Sequence, residues 1–255
     1  MSIDNRSLLR HLTSLSKSFA STALNLITPR ECFHCGRVGA WLCERCTASF
    51  PLLHPIPCPL CRRPTTRGSA HSQCRKKLGL EGCLLAADLS NRMLEQLLYG
   101  LKYHGLQSAA MLCARLLARV LSEYTPLSGL ADRNAAVLCP IPLHPQRARE
   151  RGYNQADLIS NALSYELSLP TRALLTRTRA TRDQVKLNRA QRLQNLTGAF
   201  EPYKNATLQE EVVFLVDDVV TSGATMHAAA SALRTQWPHL TIWGLAVAYH
   251  ARIEK

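Results

Sequence analysis

From Leu84 onward the apolar positions switch between two periods. Leu94, Leu97, Leu98 and Leu101 recur at helical spacing within Asn91 to Tyr103. Leu112, Leu116, Leu117 and Val120 do so within Gln107 to Tyr124, and Ala156, Ile159, Leu163 and Leu167 within Asn154 to Leu167. Ala135 to Pro140 is a short apolar run closed by Pro-Ile-Pro. Val212 to Val216 is apolar and largely β-branched with no polar alternation, the pattern of a parallel strand covered on both faces. Thr225 to Leu233 then predicts a helix and Leu240 to Ala248 the next strand, completing a βαβ unit. The expected fold class is α/β, with a parallel sheet flanked by helices.

Before that region the pattern differs. Leu8, Leu12, Leu15, Phe19, Ala23 and Leu26 form one apolar stripe, so residues 1–28 predict an amphipathic helix. Docking on the protein's own core is the favoured reading, and contact with a membrane surface is the alternative. Arg6, Arg10 and Lys17 give the segment a targeting-like composition, but it lacks the continuous apolar stretch of a secretory signal. The chain has no apolar run of about 18 residues, so no membrane span is expected.

Composition divides the chain further. Eight of its 10 cysteines lie between Cys32 and Cys83. Cys32-Phe-His-Cys35 and Cys43-Glu-Arg-Cys46 are C-x2-C pairs, which turn two thiolates onto one tetrahedral ion. Zinc is preferred to disulfides, because reduced thiols suit a chain without a secretory signal. A second set starts at Cys58-Pro-Leu-Cys61 and continues with His71-Ser-Gln-Cys74, with Cys83 as a rival fourth ligand. Interleaving of the pairs stays open at this level. Four protein ligands leave no position for water, so one or two zinc ions here would be structural. The expected organisation is residues 1–28 as a helix, 29–83 as a zinc ribbon module and 84–255 as the α/β domain.

Charge adds a class of partner. Thirty-one Lys and Arg against 18 Asp and Glu give a net +13, which favours polyanions. Arg37, Arg45, Arg62, Arg63, Arg67, Arg75, Lys76 and Lys77 decorate the cysteine region. Arg172, Arg177, Arg179, Arg182, Lys186, Arg189 and Arg192 crowd a second stretch with Asp183 as its one acid. Such density can track a phosphate backbone, and Tyr153, Tyr99 and Tyr103 offer faces on which bases could stack.

The candidate site follows the strand Val212 to Val216. Asp217 and Asp218 stand at its end, and Thr221, Ser222, Gly223, Ala224 and Thr225 form a small hydroxyl-rich loop before the helix. In open α/β sheets, ligands bind beyond the carboxyl ends of strands. Loop N–H groups and the helix dipole suit a phosphate, while the two carboxylates suit sugar hydroxyls. The acids could instead bind Mg²⁺ directly or cap the helix. A P-loop is excluded, because no lysine follows the glycine.

"VVFLVDDVVTSGAT" resembles the phosphoribosyl-pyrophosphate motif of type I phosphoribosyltransferases. "CPIPLHPQRARERGYNQADLIS", the stretch with Gln184, Leu187, Arg192, Asn195 and Phe200, and the cysteine pairs are similar to the ComF/GntX family of phosphoribosyltransferase-like competence proteins. One departure is Lys77, which stands where that family's fourth zinc-ribbon pair has a cysteine.

The resemblance implies a type I phosphoribosyltransferase-like sheet behind an N-terminal double zinc ribbon. It implies that Asp217 and Asp218 hold the ribose hydroxyls, with Mg²⁺ when phosphoribosyl pyrophosphate is bound, and that Thr221 to Thr225 wrap the 5′-phosphate. Arg147, Arg151, Arg189 and Arg192 become candidates for pyrophosphate or a DNA backbone. It further implies a cytoplasmic protein, at the inner face of the bacterial inner membrane, that handles single-stranded DNA beside a helicase-like competence protein. An active phosphoribosyltransferase of nucleotide salvage is the alternative, although no acceptor-base determinant is recognisable.

Overall fold

The computed structural model describes residues 31–32, 34–103, 107–123, 135–179, 189–204 and 206–250. The expected helix over residues 1–28, and Arg182, Gln184, Lys186 and Leu187 of the basic stretch, lie outside the described residues. The chain divides into two compact units, Met1–Phe50 and Pro51–Lys255.

The described part of the smaller unit is two cysteine-bearing turns and one short helix. Glu31 and Val38 form a β-bridge, closed by a Cys32 N–H to Arg37 carbonyl bond of 2.9 Å. The helix Glu44–Ala48 (α1) starts immediately after Cys43, which occupies its N-cap position.

The larger unit is built on four parallel strands: Gly82–Asp88 (β1), Ala136–Pro140 (β2), Val212–Val220 (β5) and Thr241–Tyr249 (β6), in the order β1-β6-β5-β2. Leu175–Arg177 (β3) and Phe200–Pro202 (β4) make a separate antiparallel ribbon. Val213, Phe214, Leu215 and Val216 are each at most 1% exposed, as the unbroken apolar run requires, and burying such side chains contributes about 2 kcal/mol apiece.

Ser72–Leu78 (α2), Arg92–Tyr103 (α3), Gln107–Glu123 (α4), Pro145–Arg151 (α5), Gln155–Leu167 (α6), Arg189–Leu196 (α7) and Ala224–Gln236 (α8) complete the described helices. Helix α4 packs on β1, β6 and α6, and α6 packs on β2 and β5. Helix α8 packs on β5, the β3–β4 ribbon, α7 and α2. Two expected starts shift by one residue, because an asparagine caps each helix from outside. Asn91 Oδ1 accepts from the N–H groups of Met93 (3.1 Å) and Leu94 (3.2 Å), and Asn154 Oδ1 accepts from Ala156 N–H at 3.2 Å.

Strand β5 runs four residues beyond the apolar stretch. Its parallel neighbour β6 continues to Tyr249, pairing Asp217 with Ala246 and Val220 with Tyr249. Asp217 and Asp218 therefore lie inside the strand rather than beyond its end.

Candidate functional site

Both cysteine sets are assembled. In each of Cys32/Cys35/Cys43/Cys46 and Cys58/Cys61/His71/Cys74 the ligand atoms lie within 4.8 Å of one another, and no cysteine is in a disulfide. A tetrahedron with Zn–S bonds of about 2.3 Å has sulfur-sulfur edges of about 3.8 Å. Cys35 and Cys43 Sγ are 3.7 Å apart, and Cys61 Sγ is 3.3 Å from His71 Nδ1. His71 Nε2 is 3.1 Å from the Pro64 carbonyl, the outer bond that fixes a metal-binding imidazole with its other nitrogen toward the ion. The interleaved pairings do not occur. Cys83, the rival ligand, is buried in β1 opposite Gly244.

The thiols report the same need for a cation. Burial opposes ionisation of Cys32 and Cys61, yet backbone N–H groups of Cys43 and Arg63 bring them down to about 6. Burial, then neighbouring thiols, pushes Cys46 and Cys74 up to about 12. The Cys46 backbone N–H lowers Cys43 as well, so the fold favours two thiolates in the first set and Cys61 in the second, and full ionisation requires a bound metal. All eight basic residues expected to decorate the cysteine region are exposed.

The loop between β5 and α8 has the features of an anion cradle. Gly223 holds the N-cap position of the 13-residue helix α8 with φ +72°, and no side chain caps that end. Its first N–H groups therefore lack the usual side-chain acceptor. Ser222 Oγ is buried and has no hydrogen-bond partner among the described residues, a cost that a bound oxygen would remove. Ala224, expected in the loop, joins Thr225, the expected helix start, in the first turn of the helix. A Cβ on Gly223 would lie 3.2 Å from Leu78 Cδ2 and 3.3 Å from Pro59 Cβ, so only glycine fits this bend.

Asp217 and Asp218 are consecutive strand residues whose carboxyl groups interact, and the Asp218 N–H donates to Asp217 Oδ1 at 2.9 Å. Asp218 Oδ2 meets Lys102 Nζ from the last turn of α3 at 3.0 Å. Asp217 and Arg147 are among the charges acting on Arg177 of β3. Burial lowers the Arg177 pKa, Asp217 opposes that shift, and Arg147 adds to it; the guanidinium lies 5.3 Å from the Phe200 ring centre. Burial, then the Asp218 charge, holds Asp217 well above the usual carboxylate range.

The arginines separate into two groups. Arg147 and Arg151 stand on α5, reached from the end of β2. Ile141 N–H bonds the Val216 carbonyl at 2.9 Å, and Asn154 Nδ2 donates to the Ile141 carbonyl at 3.0 Å, which ties this segment to the edge of β5 that bears the acids. Arg151 Nη1 donates to Gln155 Oε1 at 3.2 Å; Gln155 is 3% exposed and its Nε2 has no partner among the described residues. Arg189 and Arg192 lie on α7. Arg172 is tied to buried Glu210 at 3.0 Å, and Arg179 donates to the Asn195 and Thr197 carbonyls at 2.8 Å each. Those two arginines therefore brace the fold.

Sequence reading missed Lys102, and counted Arg177 only within the basic stretch. Lys102 lies more than a hundred residues from its acid partner, and local periodicity carries no signal for such a pair. Tyr99 and Tyr103 are exposed, with ring centres 4.7 Å apart.

No family model matches the chain. "Competence protein F" of Haemophilus influenzae is 37% identical over 119 residues, 43% of this chain and 49% of that protein, so the match spans about half of that relative. "Competence protein ComFC" of Bacillus subtilis is 29% identical over 202 residues, 75% of this chain and 77% of that protein. "DNA utilization protein YhgH" of Escherichia coli is 30% identical over 220 residues, 82% of this chain and 92% of that protein.

Proposed function

Because the chain belongs to the ComF family, we propose that it is a protein of DNA uptake and use that binds single-stranded DNA and a phosphoribosyl pyrophosphate-type ligand. The observation that carries the ligand assignment is the uncapped start of α8 beside the partnerless Ser222 hydroxyl, at the strand edge that bears Asp217 and Asp218. Loop N–H groups and Ser222 take the 5′-phosphate, and the two carboxylates take ribose hydroxyls. Asp217 and Asp218 would also be the groups to hold Mg²⁺, which would supply positive charge toward the pyrophosphate. Arg147, Arg151 and the free amide of Gln155 form the cationic side, suited to pyrophosphate or to the DNA backbone. Two zinc ions hold the cysteine sets. In this reading the protein works at the cytoplasmic face of the inner membrane beside a helicase-like partner; among the described residues no helix is long and apolar enough to cross a membrane.

The DNA half is tested by anisotropy of a labelled single strand across a salt series. The logarithm of affinity should fall linearly with the logarithm of salt, by about 0.7 per phosphate neutralised. Arg147→Ala with Arg151→Ala should flatten that slope. Binding that ignores salt would refute a phosphate-tracking surface.

A further inference from the structure

The Cys58/Cys61/His71/Cys74 set has two arms, and both end on the candidate phosphate loop. The first arm is the turn Cys58-Pro-Leu-Cys61, whose Pro59 would stand 3.3 Å from a Cβ on Gly223. The second is α2, which carries Cys74 and ends at Leu78, whose Cδ2 would stand 3.2 Å from that same Cβ. The second arm is fastened further along α8. The Leu78 carbonyl is 3.0 Å from His227 Nδ1, and the Gly79 carbonyl accepts from Arg234 Nη2 at 3.2 Å. A metal ion at this set joins the arms to each other, and so fixes the two side chains that bracket the N-cap of α8.

We propose that metal loading at Cys58/Cys61/His71/Cys74 and sugar-phosphate binding at Thr221 to Thr225 are positively linked, with Pro59 and Leu78 as the positioning residues. This rests on the phosphoribosyl reading of the loop. The bound ion holds Gly223 in the left-handed conformation that presents the first N–H groups of α8. A ligand that draws on those groups stabilises the same arrangement, so it retains the ion by the factor by which the ion tightens the ligand.

The test uses the full chain with cobalt(II) in place of zinc, because three thiolates with one imidazole absorb at wavelengths different from four thiolates. Cobalt is competed at equilibrium by a nitrogen-donor chelator that leaves Mg²⁺ free, and the fraction retained is read at the three-thiolate band with and without saturating phosphoribosyl pyrophosphate. Calorimetry confirms that the ligand is bound. The expected result is a cobalt affinity raised about fivefold or more. Pro59→Gly should abolish the effect while still loading cobalt, and Pro59→Ala, which keeps the Cβ against Gly223, should retain part of it. If Pro59→Gly fails to load, Leu78→Ala decides the matter, since it removes the Cδ2 that faces Gly223 and an undiminished effect there removes the proposed route. Ligand bound with no change in cobalt affinity overturns the linkage alone, and a full effect in Pro59→Gly overturns Pro59 as its positioning residue. Absence of ligand binding in the loaded wild type overturns the phosphoribosyl reading, and the linkage with it.

Discussion

Lys102 Nζ lies 3.0 Å from Asp218 Oδ2, joining the last turn of α3 to the acid end of β5. The ammonium occupies a place that a divalent cation would otherwise contest, and it neutralises one of two carboxylates that sit side by side along the chain. Lys102→Met should therefore tighten Mg²⁺ binding to the ligand-free protein, by about threefold given the modest strength of a partly exposed ion pair. Calorimetric Mg²⁺ titration checks this. Unchanged affinity would mean that Lys102 does not compete for the acids.

Asp217 gives the protein a particular pH response. Its folded-state pKa is raised, so the folded chain keeps a proton that the unfolded chain has already released. Stability from this group therefore falls as pH rises from the ordinary carboxylate value near ~3.9 through the folded value. Asp217→Asn cannot ionise and removes that slope. Urea denaturation at mildly acidic and at neutral pH should show wild type losing more stability with rising pH than the variant does, and equal losses would contradict the assignment.

Gly223→Ala should destabilise the protein by about 1–2 kcal/mol through its left-handed backbone alone. Contact of the new Cβ with Pro59 and Leu78 adds to that cost. The denaturation midpoint reads the loss, and a neutral substitution would show that the bend relaxes freely.

The two cysteine sets should hold two zinc ions per chain by native mass spectrometry. Their thiols should resist a disulfide reagent until a chelator is added. One ion, or thiols reactive from the start, would remove a set from the metal account.

Much of this was legible in the sequence, because the signals were local. The helical stripes of α3, α4 and α6 and the unbroken apolar run of β5 report burial directly through their period, and the cysteine pairs report ligation through their spacing. The preference for His71 over Cys83 as a ligand also came from spacing, and packing agrees by placing Cys83 inside β1. The extension of β5 to Val220 was hidden because two adjacent aspartates read as a strand end. Pairing with β6 overrides that propensity and keeps both acids within the strand. Lys102, Arg177 and the contact of Pro59 with Gly223 join segments far apart in the chain, which no local pattern encodes.

The most direct test is calorimetry of phosphoribosyl pyrophosphate with Mg²⁺ on the zinc-loaded wild type and on Asp217→Ala with Asp218→Ala. Wild type should bind, and the double variant should bind about 100-fold more weakly through loss of charge-assisted hydrogen bonds to the ribose, while its single-strand affinity stays unchanged. A wild type that takes up no ligand, or a double variant that binds as tightly, would contradict the phosphoribosyl site.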